Sequence, residues 1–140
     1  MYKEIAKKGV KYVVHGALSE EEYVLFHEKL CQSAGLQLCV PLWKKTSDEL
    51  MDELENYNIR SVITMVDNNK LSREWLGRIY DRTVYNHFNV LNIDPLGECG
   101  EFHTTVVDAT LFQNPLDYKV LEIIEDIANI ELYTKGKVII

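Results

Sequence analysis

Eight consecutive residues, Gly97-Glu98-Cys99-Gly100-Glu101-Phe102-His103-Thr104, gather acid, base, thiol and hydroxyl groups into one short stretch. Two glycines three apart allow a tight turn with positive φ and let backbone amides come close to a ligand. Carboxylates at Glu98 and Glu101 can orient an amine or ammonia, bind a metal or take a proton, and His103 can carry a proton near neutral pH. A charged, glycine-containing loop before a strand is equally the composition of a solvated turn. On residue types alone both readings stand.

Other reactive side chains are more isolated. His15 and His27 read as structural or surface residues, and His87 as a core histidine on the apolar side of a helix. Cys99, between two glutamates, lacks the electropositive surroundings of a nucleophilic thiolate. Cys31 and Cys39 read as small core residues, and three cysteines without a CxxC pair imply reduced thiols with neither a disulfide scaffold nor a zinc knuckle. No bound metal is expected. With 15 basic and 22 acidic residues among 140, a formal net charge of -7 argues against a nucleic-acid partner or an anionic membrane surface. No apolar run approaches the roughly 20 residues of a membrane span, and the first residues lack a signal-peptide pattern, so a cytoplasmic location is expected.

These groups need a scaffold. Val10 to His15 is rich in β-branched and aromatic residues and reads as a strand closed by Gly16. Ser19 with Glu22 forms a capping-box pattern, after which Tyr23, Phe26, Leu30 and Ala34 give one apolar helical stripe ending at Gly35. Leu36 to Leu42 reads as extended. Thr46 with Glu49 opens a second helix, with Leu50, Leu54 and Tyr57 on its buried face. Ile59 to Val66 is almost continuously apolar, as in a parallel strand covered on both faces. The β-α-β-α-β order predicts an α/β fold, part of a doubly wound parallel sheet. From Asp67 the pattern changes. One long helix is expected from about Ser72 to Leu91, then the loop from Asn92 to Gly100 and a strand-like run from Phe102 to Phe112. In the tail, Val120 to Ile127 fits a helical period and Ile130 to Ile140, around Lys135-Gly136-Lys137, fits a hairpin; strands are favoured. The expected organisation is an α/β part at residues 1–66 and a small α+β part at 67–140.

The segment Asp94 to Thr104, followed by Val106-Val107-Asp108 and Leu111-Phe112, resembles the signature of the diphthine–ammonia ligase family, the diphthamide synthases or N-type ATP pyrophosphatases of the PP-loop superfamily. Gly9-Val10 to Gly16, Glu28, Cys31, Gly35-Leu36, Pro41-Leu42-Trp43, Ile63 to Val66, Leu71, Leu76-Gly77-Arg78 and Asp81 agree with it in order and spacing, as far as about Pro115. The resemblance implies a HUP/Rossmann-like first domain and an ATP-dependent amidation, in which ATP with Mg activates the carboxylate of diphthine on elongation factor 2 and ammonia displaces AMP. It places the catalytic residues at Glu98, Glu101 and His103. Gly97, Gly100, Thr104 and Asp108 would bind the substrate.

The family's Ser-Gly-Gly-x-Asp-Ser loop, which holds ATP phosphates, has no counterpart here; Ala17-Leu18 and Ala109-Thr110 also depart from the family pattern. The chain resembles the C-terminal two-thirds of the enzyme. The resulting expectation is a ligase-like protein that acts with a PP-loop-bearing partner chain or as a homo-oligomer. The contrasting expectation, from another class, is a non-catalytic binding or interaction module.

Overall fold

The computed structural model describes residues 1–124, 127–134 and 137–139. Helices and strands alternate over the first hundred or so residues, and strands alone follow, in an α/β fold that divides into two compact units, Met1–Thr46 and Ser47–Ile140.

In the first unit, α1 (Tyr2–Lys7) precedes β1 (Tyr12–Val14), α2 (Glu21–Ser33) and β2 (Gln37–Cys39). β1 and β2 pair in parallel, Tyr12 opposite Gln37 and Val14 opposite Cys39, with the helix between them making the crossover the sequence predicts. Among the described residues these two strands form a sheet of their own. The Ser19–Glu22 capping box does not form: α2 is capped at Glu20, and Ser19 instead donates its backbone N–H to the Glu20 carboxylate. Cys31 is fully buried and Leu36 nearly so, whereas Tyr23, Phe26 and Leu30, expected in the buried stripe, stay exposed. Cys39, expected in the core, is exposed as well.

The second unit holds α3 (Ser47–Asn56), β3 (Arg60–Val66), a short 3-10 turn (Arg73–Trp75), β4 (Ile79–Tyr80), α4 (Arg82–Val90), β5 (Phe102–Asp108), β6 (Asp117–Ile124), β7 (Ile127–Thr134) and β8 (Lys137–Ile139). β3 is its central strand. It pairs antiparallel with β5 along its length, with β4 at Ser61 and Val62, and with β7 at Met65. The expectation of a parallel β3 is therefore corrected: its apolar run marks burial, which a central antiparallel strand shares. The units divide earlier than residue 67 because β3 takes these strands as its sheet partners.

The single long helix expected from Ser72 is also corrected. Gly77 has φ +79° and sits so close to Val120 that a Cβ would lie 2.7 Å from its Cγ2, so the chain turns there and enters β4. Asp81 then restarts the helix, its carboxylate accepting the Val84 N–H at 3.0 Å as the side-chain cap of α4. The tail forms strands: β6 and β7 pair from Asp117–Tyr133 to Ile124–Ile127, and Thr134 faces Lys137 across to β8. Lys135, Gly136 and Ile140 of the expected hairpin lie outside the described residues.

The core of this unit gathers Ile63 and Val66 of β3, Tyr80 of β4, Val84, Tyr85 and Phe88 of α4, and Phe102 of β5. Phe88 is completely buried, its ring centroid 5.0 Å from that of Phe102. Truncating such a ring to alanine costs about 3–5 kcal/mol. Arg82 binds Glu55 at 2.7 Å and also Asp52, tying the start of α4 to α3. No helix among the described residues is long and apolar enough to cross a membrane.

Candidate functional site

The chain leaves α4 at Asn92, which has φ +54°, and reaches β5 through residues 94–101. Asp94 organises this loop. Its Oδ1 accepts the Leu96 N–H at 3.1 Å, its Oδ2 the Glu98 N–H at 2.8 Å, and its carbonyl the Gly97 N–H at 3.0 Å. Gly97 closes the turn with φ +71°, and a Cβ there would lie 2.8 Å from the Phe102 carbonyl oxygen. The two ends of the loop can approach this closely only through glycine. Gly100, φ +79°, donates its N–H to the Gly97 carbonyl at 3.0 Å and has open space around it.

Tyr80 fixes the loop from below. Its hydroxyl donates to the Pro95 carbonyl, and its ring lies 5.3 Å from that of Phe102. Burial pushes the phenol pKa well above its ordinary value, with Tyr85 and Asp94 adding to the rise, so the hydroxyl stays a donor.

Glu101 occupies the junction between loop and strand. Its backbone carbonyl accepts the Asp67 N–H at 2.8 Å, and its side chain is buried, with Oε1 accepting from Lys70 Nζ at 3.2 Å. Its Oε2 is buried without a hydrogen bond. On the solvent side Glu98, Gly97, Leu96, Phe102, His103 and Thr104 line a depression of about 370 Å³. His103 and Thr104 are neighbours on a strand, yet both are exposed. The β3–β5 register shifts between Ile63 and Met65, opposite these two residues, and Thr64 in the shift donates its hydroxyl to the His103 carbonyl at 3.3 Å. A bulge of this kind breaks the alternation of faces and re-aims side chains.

The arrangement brings Glu98, His103 and Thr104 to one depression with the Gly97 backbone, and sets Glu101 behind it. Asp108 is not part of that group. It ends β5, six residues beyond Phe102 or about 20 Å of extended strand, where it lies 4.0 Å from Arg60 and caps the Ala109 N–H. Lys70 and Tyr80, which hold the loop, carry no signal in the sequence because they come from other elements. Asp94 does carry one, as an Asx residue before Pro95 at the start of a turn.

Residues 46–137 match the diphthamide synthase C-terminal domain. The chain belongs to the diphthamide synthase C-terminal domain family. The diphthamide synthase match begins one residue before the second compact unit, and it contains β3, the 94–101 loop and β5. The chain is also 27% identical over 116 residues to the diphthine–ammonia ligase of Schizosaccharomyces pombe. That alignment covers 79% of this chain and 19% of the relative, so the chain spans about a fifth of the relative's length.

Proposed function

We propose that this diphthamide synthase domain is the substrate side of an ATP-dependent amide ligase that converts the diphthine carboxylate of elongation factor 2 to an amide. The observation that carries the reading is the convergence of a carboxylate, an imidazole and a hydroxyl, Glu98, His103 and Thr104, on one depression whose floor is fixed by glycine backbone. An acyl adenylate attacked by ammonia needs a carboxylate to orient the amine, a base to take its proton as the carbon–nitrogen bond forms and AMP leaves, and a donor for the oxygen that gains charge. Glu98, His103 and Thr104 supply these in turn, and Glu101 holds the loop in register from behind. ATP with Mg enters as co-substrate, and no residue of this chain is assigned to its phosphates.

The reading includes a partner that completes the α/β layer of the first unit, either a PP-loop-bearing chain or a second copy of this one. It is supported by the parallel pair β1–β2, whose Tyr12 and Val14 are 59% and 64% exposed, since parallel strands are ordinarily covered on both faces.

The test incubates the full chain with Mg-ATP, isotopically labelled ammonium and elongation factor 2 carrying diphthine, alone and with proteins co-purifying with the chain. Label in the modified histidine, with the rate falling about 100-fold or more in His103→Ala, is the expected result. No label in either mixture, or full activity in both Glu98→Gln and His103→Ala, refutes the assignment.

A further inference from the structure

The 94–101 loop brings another set of groups together, none of them among the residues that line the depression. One carboxylate oxygen of Asp94, the Cys99 sulfur and one carboxylate oxygen of Glu101 all lie within 4.8 Å of one another. Three acidic or thiol groups this close are not a site by themselves. The decisive second observation is Glu101. This carboxylate is only 5% exposed, its Oε1 is taken by Lys70, and its Oε2 is buried with no hydrogen bond. A carboxylate oxygen withdrawn from water is normally matched by a donor or a cation. Lys70, half in solvent, matches only one of the two oxygens.

The geometry points to a binding site for one divalent transition-metal ion of borderline softness, zinc or cobalt, held by Asp94, Cys99 and Glu101. The charges balance. Lys70 offsets Glu101, while the Asp94 carboxylate and a Cys99 thiolate offset the two positive charges of the ion. The thiol proton is released to solvent as the metal–sulfur bond forms. A thiolate beside two carboxylates selects against magnesium and calcium, which take oxygen donors. Metal–oxygen and metal–sulfur lengths of about 2.1 and 2.3 Å put tetrahedral donors roughly 3.5 Å apart, so the donors need close by no more than about an ångström. Cys99 lies between Gly97 and Gly100, both in the left-handed region, where backbone adjustment is easy. Asp94 is already oriented by the Leu96 and Glu98 amides, and each of its oxygens keeps a lone pair for the ion. Three protein donors leave the fourth position to water.

The site does not rest on the amidation reading, and its test uses no substrate. Cobalt(II) is titrated into the reduced full chain in metal-free buffer near neutral pH, while the near-ultraviolet thiolate-to-cobalt charge-transfer band is followed. The expected result is a band saturating at one equivalent, bleached by zinc, unaffected by excess magnesium, and lost in Cys99→Ser. Cys39→Ser removes the other exposed thiol and should leave the band intact. Glu101→Gln should weaken binding about tenfold or more. Far-ultraviolet circular dichroism establishes that each variant is folded, and both decisive changes are at exposed cysteines. Absence of the band, its survival in Cys99→Ser, or its loss in Cys39→Ser overturns the site.

Discussion

Gly97 and Gly100 offer a matched pair of substitutions that separates backbone strain from steric approach. Both residues lie at positive φ, +71° and +79°, so an alanine at either carries the left-handed penalty of about 1–2 kcal/mol. That penalty is partly offset, by about 0.4–1 kcal/mol, because alanine also restricts the unfolded chain. Gly100 has nothing within 4 Å of a new Cβ, so Gly100→Ala should cost about 1 kcal/mol in total. At Gly97 the new methyl would lie 2.8 Å from the Phe102 carbonyl oxygen and 3.2 Å from the Phe102 ring. That oxygen belongs to the backbone at the start of β5, and the ring packs against Phe88 and Tyr80, so neither moves without disturbing the core. Overpacking of this kind adds about 1–3 kcal/mol, giving roughly 2–4 kcal/mol for Gly97→Ala. Urea unfolding followed by circular dichroism reads the difference. With a slope of about 1–3 kcal/mol/M, the midpoint should fall by about 1–2 M for Gly97→Ala and by about 0.5 M for Gly100→Ala, at unchanged slope. Equal losses for the two variants would refute the close-approach argument and leave only the strain common to both.

Lys70→Met strips the counter-charge from the buried Glu101 carboxylate and should destabilise by about 1–3 kcal/mol. In a double-mutant cycle with Glu101→Gln a coupling of about 1 kcal/mol is expected, and a coupling near zero would show that the pair contributes nothing. Tyr80→Phe removes the hydroxyl that donates to Pro95 and should cost about 1 kcal/mol. In an alkaline spectrophotometric titration it should abolish only the late-ionising phase, because burial raises the Tyr80 pKa; loss of an early phase would contradict this. In the first unit, burial and the neighbouring His27 hold the His15 pKa below its ordinary 6.5. A basic group with a depressed folded pKa gives stability that is present above the unfolded value and lost as pH falls through the folded one. Acidification below about pH 6.5 should therefore loosen the contact of Tyr2 with His15 and His27, and a His15 titration midpoint at or above 6.5 by NMR would contradict it.

The parallel β1–β2 pair was legible because each strand is short, β-rich and bounded by turn residues, with a helix between. The direction of β3 was not. An apolar run reports that both faces are covered, and Ile63 is fully buried in either kind of sheet. The break at Gly77 was hidden by the helical spacing of Leu76, Ile79, Tyr80 and Val84, which a strand followed by a capped helix reproduces by coincidence. Glu98, His103 and Thr104 could be read together because they are close in sequence, and all three line one depression, with the β3–β5 register shift opposite His103 and Thr104. Asp108 belongs to the same motif but to the far end of a strand, and spacing along the chain carries no information on that separation. Lys70 stands 31 residues from Glu101, and the pairing of β3 with β5, continued by the backbone contact of Asp67 with Glu101, brings it near.

The exposed pair β1–β2 has a consequence for any measurement made on the chain. Each of the two strands has one edge with no strand partner among the described residues, and such an edge binds whatever offers a matching row, including misfolded copies of itself. A ligand for the folded state adds RT ln(1 + [L]/Kd) to its stability, so the melting temperature of the first unit should rise with the concentration of whatever covers those rows. With the partner of the proposed function, the same linkage would make abundance follow supply, chains in excess of that partner being the fraction open to proteases.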